Sequence, residues 1–322
     1  MSKYRFVRTE EIHQGWSGDR KYCAMEEDGT RYLLRVSPKE QYEEKRAEFR
    51  MMEQAMSLGI PMCLPLELEV RDGEVCFVQS WIDGTGAGET IPKLSDIMQY
   101  AYGLEAGRIL HKIHSIPVPG KVSGGAGEEG QGADGDSPGS GKWEDWETRF
   151  NRKTDRKIKG YRECPLQYEG GEHFIRYIEE NRHLLKGRPQ VYQHGDYHIG
   201  NMMLDRAGQL YVIDFDRFDH GDPWEEFNRI VWCAQVSPLF ATGMVNGYFD
   251  GQAPEIFWRL LALYIASNTL SSLYWAIPFG QGEIETMRNQ AAEVLSWYDD
   301  MRRVIPSWYS GVSYLKIIDG MT

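Results

Sequence analysis

Cysteine is scarce in this chain of 322 residues and follows no recognisable pattern. Five cysteines are present: Cys23, Cys63, Cys76, Cys164 and Cys233. They are odd in number, lie far apart and form no C-x-x-C pair, which excludes a disulfide framework and a cysteine-based zinc site. The segment from Met1 to Ile12 is charged and has no apolar core, so we expect no secretory signal and a cytoplasmic protein.

Positive charge and long apolar runs are also in short supply. Lys plus Arg is 36 and Asp plus Glu is 48, a net charge of −12. A protein that binds the nucleic-acid backbone normally has the opposite sign, so we expect no nucleic-acid partner, whereas a cationic small molecule would suit the acidic balance. The most apolar stretch, Arg259 to Ile277, contains serine, threonine and asparagine and predicts a buried helix rather than a membrane span.

The first eighty or so residues alternate like a small sheet that carries one helix. Pairs of short apolar runs around Asp-Gly turns predict two hairpins. The four predicted strands are Arg20 to Met25, Thr30 to Val36, Leu64 to Val70 and Val75 to Trp81. Between the hairpins, Lys39 to Leu58 is charged with apolar residues at helical spacing, which predicts a helix. These patterns predict an α+β domain over residues 1–83.

Beyond Gly84 the pattern becomes mostly helical, which predicts a second domain over residues 84–322. A glycine-rich, acidic stretch without aromatic residues interrupts it at 120–141. Such a composition buries too little apolar surface to offset its ordering entropy, so we expect a disordered surface insertion there.

The chemistry is concentrated in one short region. His194-Gly195-Asp196 is followed by Asn201 five residues after the aspartate, and Asp214 ends an apolar strand eighteen residues after it. Phosphoryl transfer needs a carboxylate near the acceptor hydroxyl and hard oxygen ligands for Mg²⁺, and this spacing provides both. The structural alternative is that the two aspartates only cap turns.

These residues resemble the H-G-D-x-x-x-x-N and Ile-Asp-Phe motifs of the aminoglycoside phosphotransferase and choline kinase group, small-molecule kinases with a protein-kinase-like fold. The resemblance covers most of the chain. It implies a bilobal α+β fold with a small N-terminal antiparallel sheet plus helix and a larger, mostly helical C-terminal lobe. It further implies that Asp196 is the catalytic base, that Asn201 and Asp214 hold Mg²⁺, and that ATP or GTP is the phosphoryl donor.

The same resemblance extends to the N-terminal lobe. Ser17, in Gly15 to Asp19, stands where the family has its phosphate-contacting loop residue. Arg35 occupies the place where most members have a lysine, which is a departure because a guanidinium meets phosphate with a different geometry. The acidic partner of this cation on the following helix would be Glu48, with Glu44 as the alternative.

Three further positions complete the expected site. Ser80 and Ile82 stand where the family joins its two lobes, and their backbone groups would meet the purine base. Arg217 follows Asp214 and would place a guanidinium near the transferred phosphoryl group; alternatively it pairs with Asp219 or Asp222. Asp222, in a Gly-Asp-Pro segment, would brace the catalytic loop.

The sequence therefore predicts a kinase that phosphorylates a hydroxyl of a small molecule, with an aminoglycoside-type antibiotic as the first expectation because of the net negative charge. Choline, a sugar, fructosamine, a macrolide or a hydroxy amino acid would use the same catalytic residues. A nucleotide-binding protein without transfer activity is the rival class. A protein kinase is disfavoured because no A-P-E segment follows Asp214.

Overall fold

The computed structural model describes residues 3–13, 18–118 and 144–311. Ser17 and the segment 120–141 lie outside these residues, so both predictions about them stay predictions.

Ten strands and nine α-helices are assigned within the described ranges. The strands are β1 (Arg8–Ile12), β2 (Arg20–Met25), β3 (Arg31–Pro38), β4 (Pro65–Arg71), β5 (Glu74–Ser80), β6 (Gly84–Gly86), β7 (Val191–Gln193), β8 (Met202–Asp205), β9 (Leu210–Val212) and β10 (Asp219–Gly221). The helices are α1 (Tyr42–Ser57), α2 (Ala87–Thr90), α3 (Asp96–Ile113), α4 (Trp146–Glu163), α5 (Gly171–Asn181), α6 (Ile230–Val236), α7 (Pro238–Phe249), α8 (Glu255–Ala276) and α9 (Gln281–Trp297).

The chain divides into two compact units. The first contains residues 1–90 and 200–218, and the second contains residues 91–199 and 219–322. This division differs from the predicted boundary at residue 83, because β6 pairs with β8 and brings the β8–β9 hairpin into the first unit. The hairpin is flanked by two of the predicted site residues, Asn201 and Asp214.

The first unit is built on a five-stranded antiparallel sheet in the order β1-β2-β3-β5-β4. Its β4–β5 turn is the predicted Asp-Gly turn: Asp72 and Gly73 have φ of 51° and 82°, the left-handed pair that a two-residue hairpin needs. Helix α1 packs on one face through the rings of Phe49 and Phe77, whose centroids lie 5.6 Å apart. The predicted α+β class is confirmed.

The second unit is mostly helical, and two of its helices cross at glycine. Gly103 and Gly107 of α3 meet Gly243 and Gly247 of α7. A Cβ atom on Gly107 would lie 2.1 Å from the Met244 carbonyl oxygen, so only glycine permits this approach of the two backbones.

The predicted apolar helix is α8, most of whose residues are buried. Together with the turn that follows, its stretch Glu255–Phe279 has the length and composition to cross a membrane, and 67% of its most apolar window is buried inside the protein. Burial of this kind is typical of a core helix in a soluble protein.

Candidate active site

Arg35 lies at the centre of a buried group of charges in the first unit. Its side chain is only 4% exposed and contacts three carboxylates from three separate segments. Nε and Nη2 lie 2.9 and 2.6 Å from Asp19 Oδ2, Nη1 lies 2.7 Å from Glu48 Oε1, and Nη2 lies 3.4 Å from Asp216 Oδ2. Glu48 is therefore the helix partner of Arg35, whereas the alternative, Glu44, is exposed.

A second cation completes what we call the Arg35 cluster: Asp19, Arg35, Lys45, Glu48 and Asp216. Lys45 Nζ lies 2.9 Å from Asp19 Oδ2 and 3.4 Å from Glu48 Oε2. Sequence reasoning missed Lys45 and Asp19, although the i, i+3 spacing of Lys45 and Glu48 on α1 was available as a signal.

The cluster shifts the pKa values of its members. Burial alone would lower the pKa of Arg35, but the carboxylates of Glu48, Asp19 and Asp216 outweigh it and raise that pKa. Burial favours the neutral form of Asp19, yet Arg35 and Lys45 together lower its pKa. Arg35 thus stays charged, and most of its donor positions are already directed at protein carboxylates.

Asp214 and Asp216 follow the β8–β9 hairpin and crowd negative charge together. Asp214 adopts the left-handed conformation, with φ 69° and ψ 59°, which is uncommon outside glycine and tends to occur at functional sites. Burial and then the nearby Asp214 carboxylate raise the pKa of Asp216. Asp216 Oδ1 is buried and has no hydrogen-bond partner in the described part of the chain.

These residues fit a hard cation such as Mg²⁺. The Ile213 N–H donates to the Asn201 carbonyl at 3.0 Å, so the chain before β8 is joined to the chain after β9. Within residues 3–13, 18–118 and 144–311, no group of three or more His, Cys, Asp or Glu side chains could hold a metal by itself. A Mg²⁺ ion at Asn201 and Asp214 would accordingly complete its coordination with water or phosphate oxygens.

Asp196 belongs to the second unit and is held by an arginine that sequence reasoning missed. Arg229 Nε lies 3.2 Å from Asp196 Oδ1, and His198 Nε2 lies 3.7 Å from the same oxygen. The carboxylate side chain is 16% exposed, so it is oriented but accessible. Gly195 before it has φ 85°, which explains the glycine of the H-G-D motif.

The backbone of this loop is fixed by Glu226 rather than by the carboxylate of Asp222. The buried Glu226 accepts a hydrogen bond from the Gly195 N–H at 3.0 Å, and burial raises its pKa. The Asp222 carboxylate instead accepts from Arg188 at 2.5 and 2.8 Å and from the Tyr264 hydroxyl at 2.6 Å. No local sequence pattern shows that Glu226, rather than its neighbour Glu225, would bind the Gly195 N–H.

Of the two residues expected to meet the purine, Ser80 uses its backbone N–H in a hydrogen bond within the protein and Ile82 does not. The Ser80 N–H donates to the Leu64 carbonyl at 2.9 Å and is used within the sheet. Ile82 lies outside the strands, and its backbone has no hydrogen-bond partner among the described residues. An open cavity of about 490 Å³ adjoins this segment, with Met62, Trp81 and Tyr211 in its lining, but no member of the Arg35 cluster lines it.

Arg217 lies in a short 3₁₀ turn after Asp214, and its side chain is exposed. The two acids expected as its alternative partners have other cations: Asp219 pairs with Arg149 at 2.5 Å, and Asp222 pairs with Arg188.

Comparison with known proteins gives a consistent picture. The model of the phosphotransferase enzyme family matches residues 8–258. Among solved structures, the chain is similar to aminoglycoside phosphotransferase APH(4)-Ia in complex with ADP and hygromycin B, with 15% identity, TM-score 0.60, and 90% of this chain and 94% of that chain covered. It is also similar to a choline/ethanolamine kinase family protein from Mesorhizobium loti, with 14% identity, TM-score 0.61, and coverage of 92% and 91%. A third similar structure is the gentamicin complex of APH(2")-IIa, with 17% identity, TM-score 0.60, and coverage of 89% and 92%. At these identities the similarity shows the fold alone.

Proposed function

Since the chain belongs to the phosphotransferase enzyme family, we propose that it transfers the γ-phosphoryl group of ATP or GTP to a hydroxyl of a small molecule, with Asp196 as catalytic base. The observation that carries this proposal is the held but accessible Asp196 carboxylate. Arg229 orients it and Glu226 fixes the loop backbone beside it. A carboxylate in this state can orient the acceptor hydroxyl and take its proton late in the transfer.

Asn201 and Asp214 are the residues that would hold Mg²⁺. When bound, the ion neutralises charge on the nucleotide phosphates. The unpartnered Asp216 oxygen and the repulsion between Asp216 and Asp214 support a cation at this position. Arg217 would add a guanidinium near the phosphoryl group being transferred.

In the first unit, we assign Arg35 a mainly structural role, which differs from the phosphate contact expected of the lysine it replaces. Its contacts with Asp19, Glu48 and Asp216 support a role in holding these carboxylates in place, with at most one donor directed at a phosphate. Ser17 remains the candidate loop contact to phosphate. For the purine, the unengaged Ile82 backbone is a better candidate than the Ser80 N–H.

The proposal also concerns the identity of the phosphoryl acceptor. An aminoglycoside-type antibiotic remains the acceptor predicted from the sequence, and the aminoglycoside and choline/ethanolamine kinase proteins of similar fold show how widely acceptors vary on one scaffold. A cytoplasmic location goes with the proposal, because all five cysteines are free thiols, as is usual in a reducing compartment.

The test is Asp196→Asn, assayed by transfer from radiolabelled ATP with Mg²⁺ to a panel of hydroxyl compounds. We expect turnover to fall by about 10²- to 10⁴-fold, the usual contribution of a general base, with nucleotide affinity nearly unchanged. Asp299→Asn, an exposed acid paired with Arg302, is the matched control and should leave turnover unchanged. An Asp196→Asn variant that kept near-normal activity would overturn the assignment, and a wild type that bound nucleotide but phosphorylated nothing would favour the non-catalytic rival.

A further inference from the structure

His198 lies two residues after the proposed catalytic base, in the same loop. Its Nε2 lies 3.7 Å from Asp196 Oδ1, the oxygen that Arg229 Nε approaches at 3.2 Å. The imidazole side chain is 21% exposed, so the ring lies beside Asp196 and part of it remains open to solution. The base therefore has a second ionisable group within ion-pair distance, in addition to the permanently charged Arg229.

The segment that begins at Arg229 holds His198 and the rest of this loop in place. Trp232 and Cys233 lie three and four residues after Arg229, so the three side chains share one helical face. The centroid of the Trp232 ring lies 6.4 Å from that of His198. Cys233 Sγ accepts a hydrogen bond from the Ile199 N–H at 3.3 Å. His198 is therefore a fixed member of the site rather than a loose side chain on its surface.

Phosphoryl transfer leaves a proton on the base, which must be removed before the next turnover. The acceptor O–H bond breaks as its oxygen bonds to phosphorus, and Asp196 takes the proton. The carboxyl group is then neutral, so the guanidinium of Arg229 has lost the charge of its partner. Imidazole is a stronger base than a carboxylate, so transfer of the proton to a neutral His198 restores the ion pair.

We propose that His198 takes this proton from Asp196 and delivers it to solvent. The O–H bond of Asp196 breaks and its electron pair stays on the carboxylate, the Nε2–H bond of His198 forms, and the imidazolium then releases a proton to water. The separation of 3.7 Å is longer than a hydrogen bond, and such contacts are often long in unliganded active sites and shorten when substrate is bound. The inference rests on the proposed function and adds a residue that acts through Asp196.

The proposed step depends on pH through the charge of His198. Two charged groups lie beside the ring, Asp196 on its own loop and Arg229 on the facing segment, and α6 adds Trp232 and the thiol of Cys233. Burial raises the pKa of this thiol to about 12, so it stays neutral. Histidine normally changes charge between about pH 5 and 8. A His198 that is already protonated cannot accept the proton, so turnover should fall as the pH falls through this range.

The experiment compares His198→Gln with wild type in the radiolabelled ATP assay with Mg²⁺, from about pH 5 to 9. Glutamine keeps a polar side chain at this position but takes up no proton in that range. We expect kcat of the variant at pH 7.5 to be about tenfold lower, with both KM values within about twofold, and the decline of kcat toward pH 5 to be absent. His183→Gln is the matched control, because His183 is exposed in the turn Arg182–Leu185 after α5, and it should keep the wild-type profile.

His198→Ala separates proton transfer from the packing of the ring. Added imidazole should restore part of its turnover, because neutral imidazole in solution can accept the proton from Asp196, but it should not restore Asp196→Asn. An acid decline that persists in His198→Gln, or a loss of turnover in His198→Ala that imidazole does not reverse, would overturn the inference and leave the proposed function standing. A wild type that phosphorylates no compound would overturn both.

Discussion

Arg35→Lys is the substitution that would restore the lysine expected at this position, and we predict that it destabilises the protein. Arg35 joins β3 to Asp19, to Glu48 on α1 and to Asp216 after the β8–β9 hairpin, using the separate nitrogens of one planar group. A lysine ammonium presents its three donors from a single atom and cannot span these positions.

The magnitude follows from the contacts that would be lost. We expect the ammonium to keep one carboxylate and to lose about two charge-assisted hydrogen bonds, each worth about 1.5 kcal/mol. Lys45 already supplies an ammonium to Asp19 and Glu48, so a second one would meet it at close range. The free energy of unfolding should therefore fall by about 3 kcal/mol, which matches the usual cost of breaking a buried ion pair.

Urea unfolding at pH 7 measures this change, and the Mg²⁺-ATP KM measured alongside should rise as Glu48 and Asp216 lose their common partner. Arg31→Lys is the control: Arg31 lies on the same strand and pairs with Asp83, but its side chain is 36% exposed against 4% for Arg35, so its substitution should cost less than about 1 kcal/mol. If Arg35→Lys were as stable as Arg31→Lys, the three-carboxylate role of Arg35 would be refuted.

Two further predictions concern the second unit. Gly107→Ala should lower the free energy of unfolding by about 2 kcal/mol or more, because its Cβ would lie 2.1 Å from a backbone oxygen. Gly282→Ala is the control and should not lower it, because the space around Gly282 is open. Equal midpoints of the two variants in thermal unfolding would contradict the close crossing of α3 and α7. Burial lowers the pKa of His114 to about 3, below the value of about 6.5 expected when unfolded. The unfolded chain therefore binds more protons between these pH values, and the stability that neutral His114 contributes is lost as pH falls from about 6.5 toward 3. The slope is at most about 1.4 kcal/mol per pH unit. His114→Gln should reduce the slope by that amount, and an unchanged slope in urea titrations at several pH values would refute it.

The elements that the sequence predicted well are those with strong local signals. The two Asp-Gly hairpins and α1 lie within a few residues of their predicted bounds, because alternating apolar residues and turn chemistry act locally. Strand β1, with the sequence RTEEI, was missed because four of its five residues are polar and exposed. The three-residue strands β6, β7 and β10 are too short to show any period and exist only through their partners.

The site residues also fall into those that a local sequence motif identifies and those that it does not. Asp196 and Asp214 could be found because their motif is contiguous or nearly so. For Lys45 the i, i+3 spacing to Glu48 was the one local signal, but its contact with Asp19 comes from tertiary packing. Arg229 could not be found, since it is an ordinary charged residue in a chain with 26% charged side chains, and only tertiary packing brings it to Asp196. The left-handed backbone of Asp214 is likewise set by the packed hairpin rather than by its neighbours in sequence.

Net charge is the property whose meaning changed most. Several acids that contribute to the −12 are buried against cations or backbone donors, including Asp19 and Glu48 beside Arg35, Asp222 beside Arg188, and Glu226 under the catalytic loop. Such acids are neutralised or enclosed, so they attract no ligand from solution. The net charge of −12 therefore does not by itself fix the sign of the acceptor, which depends on the few charges within reach of the reacting hydroxyl. Two chains of this fold with the same net charge can therefore select acceptors of opposite charge.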